Sequence, residues 1–238
     1  MRTAFSFLTV LPVGRLRVGR DDSLGRAWFP LVGLVLGILG AAAGWGVRLV
    51  SVPALGALVT VGVLVLLTGA LHLDGLADSA DGLFGGADRD RRLAIMRDPR
   101  VGVFGAAALI LVLLGDVLAL TALRPLEAAL AVVSAAALAR FAMLCSVVAL
   151  PYVRSSGLGV AAARGRAVRD VAVGVPFAAL PLIWDWRHGM LAVGLVLVST
   201  LAVALFARRR IGGATGDIYG AVVEVGQLAA VTAFTVRL

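Results

Sequence analysis

Seven long apolar runs constrain the fold of this chain more than any other feature. They lie near residues 28–50, 52–71, 102–123, 126–151, 171–184, 190–207 and 218–236. Most of them approach the roughly 20 apolar residues that a helix needs to cross the hydrocarbon core of a bilayer. A large soluble protein with buried helices is the alternative. It is disfavoured because 61% of the residues are hydrophobic and only 15% are charged, too few to cover a soluble surface.

The bilayer then dictates the fold class. Inside hydrocarbon the backbone must satisfy its own hydrogen bonds, so the apolar runs are expected to be helices. We predict an all-α integral membrane protein, a polytopic bundle of about seven transmembrane helices, with a range of about six to eight. The run at 171–184 is short and holds Pro176 and Pro181, which predicts a kinked or partly inserted helix. Residues 1–238 form a single membrane domain in this interpretation.

Arginine is unevenly distributed between the segments that join the runs. All 22 basic residues are arginine, and 17 of them lie in residues 1–27, 72–100, 153–170 and 208–210. If the chain crosses the membrane at each run, these segments share one side, which the positive-inside rule places in the cytoplasm. The same rule explains many of these arginines as topology anchors. We expect segments 72–105, 153–170 and 208–224 to carry a site on that face.

A stripe of aspartates directly follows the second run. In LHLDGLADSADGLFGG, residues 71–86, Asp74, Asp78 and Asp81 fall at positions i, i+4 and i+7. If the helix of that run continues for two or three turns, the three side chains lie within roughly 60° of one another. Like charges on one stripe repel unless a cation joins them, and carboxylate oxygens suit Mg²⁺ or Mn²⁺. The alternative is a solvated helix end whose acids interact with the arginines of residues 89–92.

A second polar segment, DRDRRLAIMRDPRVGVFG (88–105), leads into the third run. Arg97, Asp98 and Arg100 crowd around Pro99 there. Two guanidinium groups in this position are able to hold phosphate oxygens bidentately. Positive-inside anchoring explains the arginines equally well.

The third polar segment is RRRIGGATGDIYGAVVEVGQ (208–227). Its glycines between residues 212 and 216 predict a turn whose amides face an anion. Asp217 and Glu224 are seven residues apart and share a face of the last predicted helix. An acid inside a membrane span is costly and is a functional candidate for that reason. Pairing between Glu224 and Arg140, which also lies in a run, is the alternative.

Together the three segments indicate phosphoryl chemistry at a membrane surface. A divalent ion on carboxylates neutralises phosphate oxygens and orients an in-line displacement, and arginines add charge stabilisation. A transporter with Asp116, Arg140 and Glu224 along its pathway is a different interpretation. It predicts functional polar groups near mid-membrane, whereas the strongest cluster lies at one edge. A purely structural subunit has no use for the acidic stripe.

The same segments resemble one family, the adenosylcobinamide-GDP ribazoletransferases, also called cobalamin synthases. The matching strings are HLDGLADSADGLF (72–84), IMRDPRVGVFG (95–105), GGATGDIYGAVVE (212–224), FLTVLPVGR (7–15) and WFPLVGLVLG (28–37). Their order and spacing agree over nearly the whole chain, with Val103 where the family usually has Thr. The arrangement is also similar to that of CDP-alcohol phosphotransferases, so a lipid phosphotransferase is the alternative enzyme.

The resemblance implies a Mg²⁺-dependent, multi-pass enzyme of the bacterial inner membrane with its active site facing the cytoplasm. Such an enzyme joins α-ribazole or its 5′-phosphate to adenosylcobinamide-GDP, forming adenosylcobalamin or its 5′-phosphate and releasing GMP. Expected partners are these small-molecule substrates and membrane lipid, and no nucleic acid. A homo-oligomer is compatible with the sequence.

Residue roles follow from combining the polar segments with this reaction. We expect Asp74, Asp78 and Asp81 to bind Mg²⁺. Asp81 or Asp98 is expected to accept the proton of the attacking hydroxyl. The expected substrate-binding residues are Arg97, Arg100, Thr215, Asp217 and Glu224.

Overall fold

The computed structural model describes residues 1–14, 24–155, 157–162 and 164–238. Helices make up most of this described part, and its one β-bridge joins Tyr152 to Ala214. The helices are α1 (Arg2–Leu8), α2 (Phe29–Arg48), α3 (Pro53–Thr68), α4 (Leu71–Gly85), α5 (Arg89–Ile95), α6 (Val103–Ala122), α7 (Pro125–Ala149), α8 (Leu158–Ala162), α9 (Ala167–Ala178), α10 (Pro181–Trp184), α11 (Trp186–Ile211) and α12 (Gly216–Ala233). The predicted all-helical fold is confirmed.

Five helical stretches in the described residues are long and apolar enough to cross a membrane. They are Arg26–Arg48, Val103–Ala122, Pro125–Ala149, Ala167–Trp184 and Trp186–Ile211. Helices α3 and α4 meet the same criterion only as a pair bent by 90°, which raises the number to 6 if the pair is one span. The predicted number of about seven is therefore approximate. The run predicted at 218–236 corresponds to α12. This helix carries buried Glu224 and Gln227 and packs against α4, α7 and α11.

Close packing of α2 on α7 forms one wall of the bundle. A Cβ atom on Gly33 would collide with the Ala136 carbonyl, and one on Gly37 would lie 2.7 Å from the Val133 Cα atom. Small residues therefore let the two helix backbones touch, as is common between membrane helices. Helix α12 lies against the other side of α7 and forms the buried centre of the molecule.

An elbow between α3 and α4 positions the acidic stripe. Gly69 and Ala70 both have left-handed backbone angles, with φ of 59° and 57°. This conformation costs a non-glycine residue roughly 1–2 kcal/mol. Backbone hydrogen bonds hold the elbow, from Ala70 N–H to the Val65 carbonyl at 3.0 Å and from Val10 N–H to the Leu67 carbonyl at 2.9 Å. The aspartates consequently do not continue the second apolar helix but lie on a separate helix packed against α12 and α6.

Candidate active site

Two glycines define the crossing of α4 and α12. A Cβ atom on Gly75 would lie 2.9 Å from the Asp217 carbonyl oxygen, and one on Gly220 would lie 2.9 Å from the His72 carbonyl oxygen. Side chains do not tolerate such distances, so the helices approach this closely only because both positions are glycine. The crossing brings Asp74 of α4 and Asp217 of α12 to one cavity.

A short backbone bridge brings a third segment to the same place. Val153 N–H donates to the Ala214 carbonyl at 3.0 Å, and Ala214 N–H donates to the Pro151 carbonyl at 2.9 Å. The bridge joins the residues after α7 to the turn before α12. It thereby places Arg154 beside Asp217.

Asp217 is held by a guanidinium and a hydroxyl. Arg154 Nη2 donates to Asp217 Oδ2 at 2.7 Å and to the Met96 carbonyl at 3.3 Å. The buried Thr215 hydroxyl donates to the same carboxylate oxygen at 3.1 Å and caps α12 by accepting from Ile218 N–H at 3.4 Å. Burial raises the pKa of the Asp217 carboxyl above its ordinary value, although Arg154 and Thr215 oppose the shift.

The cavity at this ion pair has a volume of about 250 Å³. The Tyr152 and Tyr219 rings stack beside it, with centroids 6.4 Å apart. His72 is 1% exposed, and its two ring nitrogens have no hydrogen-bond partner in the part of the chain that the structure describes. The polar residues that line the cavity are His72, Asp74, Tyr152, Arg154, Asp217 and Tyr219. A guanidinium and aromatic rings suit a ligand that carries both phosphate and planar groups.

The predicted acidic stripe is present on α4. Asp74 is exposed at the cavity, and Asp78 lies half-buried one turn further along the helix. The charge of Asp78 interacts with those of Asp74, Asp217 and Arg154, and with that of Asp81. Carboxylates of α4 and α12, more than 130 residues apart in sequence, are therefore close enough for their charges to interact.

Asp81 has a different environment from the other two aspartates. Gly102 N–H donates to its Oδ2 atom at 2.7 Å, and Gly105 N–H donates to its Oδ1 atom at 2.8 Å. A Cβ atom on Gly102 or Gly105 would collide with the carboxylate. Asp81 is 8% exposed and caps the N-terminus of α6, where a negative charge also interacts favourably with the helix dipole. Its observed contacts fix the 95–105 segment to α4.

These contacts divide the predicted metal ligands into two groups. Both oxygens of Asp81 are bound to backbone N–H groups, whereas Asp74 lines the cavity and the half-buried Asp78 interacts with the charges of Asp74 and Asp217. Among the described residues, no group of three or more His, Cys, Asp or Glu side chains is placed to hold a metal ion. The trio therefore does not fit one ion as the side chains stand. Mg²⁺ usually needs only one or two carboxylates together with waters and substrate phosphates, a requirement that Asp74 and Asp78 fit.

Arg97 has a different environment from Asp98 and Arg100. Asp98 and Arg100 pair with each other at the surface, at 2.7 Å and 2.9 Å, and neither is among the described residues that line the cavity. Hydrogen bonds from Arg100 lower the pKa of Asp98 to about 2. Arg97 is exposed, and its charge acts on Tyr152 at the cavity.

Glu224 lies away from the cavity, inside the helix bundle. It is 7% exposed, and its charge interacts with those of Arg140 and Asp116. Gln227 links the latter two, accepting from Arg140 Nη1 at 3.0 Å and donating to Asp116 Oδ2 at 3.2 Å. Glu224 and Arg140 therefore interact through their charges, but among the described residues they form no direct ion pair.

Sequence reasoning missed Arg154, Tyr152 and Tyr219 as site residues. Arg154 is one of four arginines in residues 153–170, and nothing in its spacing distinguishes it from the others. Its role depends on the bridge between the segments at 151–153 and 214. The tyrosines are the only two in the chain, a scarcity that offered a weak signal for Tyr152 and Tyr219.

Comparison with known proteins identifies the family. A model of the cobalamin-5-phosphate synthase family matches residues 1–235. Proteins named adenosylcobinamide-GDP ribazoletransferase are similar to this chain over most of its length. The one from Azorhizobium caulinodans is 43% identical, over 84% of this chain and 79% of the relative. The one from Bradyrhizobium diazoefficiens is 41% identical, over 96% and 90%. The one from Escherichia coli O157:H7 is 38% identical, over 94% of each.

No solved structure matches the chain. The family match extends over almost all of the sequence, including the three segments that converge on the cavity. The chain therefore belongs to the cobalamin-5-phosphate synthase family.

Proposed function

We propose that this protein is an adenosylcobinamide-GDP ribazoletransferase, which carries out the final step of cobalamin synthesis. It joins α-ribazole or its 5′-phosphate to adenosylcobinamide-GDP. One observation carries the assignment beyond the family name: Asp74, Arg154 and Asp217, from three distant segments, meet at one cavity. The CDP-alcohol phosphotransferase and transporter interpretations are not favoured, because the family model is that of cobalamin-5-phosphate synthases and the relatives carry the ribazoletransferase name.

The reaction transfers a phosphoryl-linked group from GMP to a ribose hydroxyl. The hydroxyl oxygen of the ribazole attacks the phosphorus attached to the cobinamide. The bond from that phosphorus to the oxygen of GMP breaks, and the hydroxyl proton passes to a carboxylate. Arg154 is placed to stabilise charge on the phosphate oxygens, because its guanidinium lines the cavity and is already oriented by Asp217.

Asp217 is our candidate for the proton acceptor. Its two hydrogen bonds, from Arg154 and Thr215, both go to Oδ2, which leaves Oδ1 for a substrate hydroxyl. Burial raises its pKa toward the range in which a carboxylate is an effective base. The bases expected from sequence are less well placed. Asp81 accepts two backbone hydrogen bonds, and Asp98 has a pKa of about 2.

Asp74 and Asp78 would hold Mg²⁺ in this proposal. Bound there, the ion supplies neutralisation of the pyrophosphate charge and of the leaving GMP. The donor chemistry supports the assignment, because Asp74 lines the cavity and Asp78, a second hard carboxylate, follows one helical turn away. Asp81 instead keeps the 95–105 segment, including Arg97, in place next to them.

We place the cavity at the cytoplasmic face of the bacterial inner membrane. Seventeen of the 22 arginines belong to segments that share one side of the predicted topology. Arg154 and Arg97 are among them, and both act at or beside the cavity. The positive-inside rule supports a cytoplasmic location for that side.

The proposal is tested with purified protein in detergent micelles, supplied with adenosylcobinamide-GDP and α-ribazole. We expect cobalamin and GMP to form in equal amounts, with a requirement for Mg²⁺. Asp74→Asn is expected to lower kcat by about 100-fold or more, because it removes a group that acts on the reacting phosphate. Asp90→Asn is the matched control, since the Asp90 side chain is 91% exposed at the surface. GMP release by Asp74→Asn at the wild-type rate and with an unshifted Mg²⁺ midpoint would exclude its metal-binding role.

A further inference from the structure

A second concave surface lies on the side of α4 that faces away from Asp74. On a helix of about 100° per residue, Leu76, Ala80 and Leu83 point roughly opposite to Asp74. They form one wall of a groove whose other walls are α6 and α11 and whose floor is α12. The groove encloses about 560 Å³. Its lining is almost entirely apolar, in contrast to the cavity of the candidate active site.

Aromatic rings frame the groove near the arginine-rich end of α11. The Phe84 ring centroid is 5.2 Å from that of Phe206 and 5.7 Å from that of Phe104, and Phe84 is 59% exposed. The Arg210 guanidinium lies over the Phe206 ring, 5.0 Å from its centroid. An exposed cation is therefore fixed beside the rim of an apolar groove.

The arginine at this rim is not neutralised by a neighbouring acid. Arg210 is exposed, in the last turn of α11 together with Arg208 and Arg209, and has no ion-pair partner in the described segments. By contrast, Arg89 and Arg92 of α5 are used structurally, because they donate to the Ile211 and Arg210 carbonyls at 3.0 Å and 3.5 Å. The rim thus offers positive charge to an external anion.

We propose that this groove binds an anionic phospholipid, with an acyl chain against Phe206 and Leu83 and the headgroup phosphate at Arg210. The groove lies between α6 and α11, two of the helices apolar enough to span a membrane, so its opening faces the bilayer. Burial of a hydrocarbon chain there leaves the charged headgroup at the interface, where basic side chains attract anionic lipids.

The charge beside the groove favours a lipid over an apolar partner helix. An acyl chain fits the apolar lining, while the Arg210 guanidinium at the rim selects an anionic headgroup over a zwitterionic one.

The test compares two lipids on delipidated protein in a neutral detergent. Phosphatidylglycerol and phosphatidylcholine with identical acyl chains are titrated, and bound lipid is counted by native mass spectrometry. We expect phosphatidylglycerol to bind about five-fold more tightly, the effect expected of one arginine at a membrane surface. Arg210→Gln should abolish that preference. Arg187→Gln should retain it, because Arg187 also lies over an aromatic ring, that of Trp186, but at the opposite end of α11.

A second variant tests the groove itself. Ala202 is an exposed lining residue, so Ala202→Phe fills the groove without disturbing the buried core. It should lower the number of bound lipids by one while the thermal unfolding temperature is retained. Equal binding of the two lipids, a preference that survives Arg210→Gln, or unchanged lipid binding by Ala202→Phe would overturn the proposal. A dimer that Ala202→Phe dissociates would instead assign the groove to a second copy of the chain.

Discussion

Replacing Asp81 with asparagine separates two roles that the sequence could not distinguish. As a metal ligand, Asp81 would contribute mainly to catalysis. As the cap of α6, it contributes mainly to the position of the 95–105 segment and to stability. The structure favours the second role, because Gly102 and Gly105 donate to its two oxygens at 2.7 Å and 2.8 Å.

The cost of the substitution follows from those two bonds. A hydrogen bond to a charged group contributes about 1.5–3 kcal/mol. Asparagine keeps one acceptor oxygen but turns an NH₂ group toward a backbone N–H, so one bond is lost and the other loses its charge. Because Asp81 is 8% exposed, water does not replace the missing acceptor. We expect a loss of about 3 kcal/mol, which for a chain of 238 residues lowers the unfolding temperature by roughly 6–12 °C.

Thermal unfolding in detergent and a Mg²⁺ titration of GMP release form the assay. Asp78→Asn is the matched control, since it neutralises the preceding aspartate of the same stripe. Asp78 lies among like charges, so its neutralisation should leave the unfolding temperature unchanged or raise it. Its Mg²⁺ midpoint should shift to higher concentration. For Asp81→Asn we expect the reverse: a lowered unfolding temperature and an unshifted Mg²⁺ midpoint in the folded protein.

One pattern of results would refute this reasoning. If Asp81→Asn unfolds at the wild-type temperature and excess Mg²⁺ restores its activity, Asp81 is a metal ligand. Its bonds to Gly102 and Gly105 would then not contribute to the stability of the native state in solution.

The remaining predictions concern packing and pH. Gly220→Ala should destabilise the protein by about 1–3 kcal/mol, because its Cβ atom would lie 2.9 Å from the His72 carbonyl oxygen. Gly194→Ala, where a Cβ atom meets open space, should be neutral or stabilising by up to about 1 kcal/mol, and equal unfolding temperatures for the two variants would contradict this account. The pKa of Asp98 is lowered from 3.8 to about 2. Any stabilisation by its ionised form is therefore fully present above pH 3.8 and is lost as the pH falls toward 2. Asp98→Asn should therefore leave the acid limb of the pH–rate profile unchanged, and a displaced limb would restore Asp98 as a candidate base.

Local chemistry explains why the sequence determined the fold class and the acidic stripe. Hydrocarbon thickness and backbone hydrogen bonding require helices of about 20 apolar residues, and both requirements are readable within one segment. The spacing of Asp74, Asp78 and Asp81 is likewise a property of one helix. The prediction of a charged, Gly-rich turn before α12 also needed only neighbouring residues, and Thr215 caps that helix in the structure.

Tertiary contacts decided which of the candidate residues meet. Arg154 and Asp217 are 63 residues apart, and Asp81 and Gly105 are 24 apart, so no periodicity links them. The left-handed elbow at Gly69 and Ala70 also had no distinctive signal, since alanine seldom adopts that conformation.

The sequence by itself thus determined a helical fold with several apolar helices, and it predicts that the acidic and basic segments lie on one side of the membrane. The tertiary structure decided that Asp74 faces the cavity, that Asp81 caps α6, and that Arg154 pairs with Asp217 in the same cavity. The physical reason is that helix formation and membrane insertion depend on short stretches of chain. Whether a carboxylate caps a helix or faces a cavity depends on the hydrogen-bond donors that distant segments bring to it.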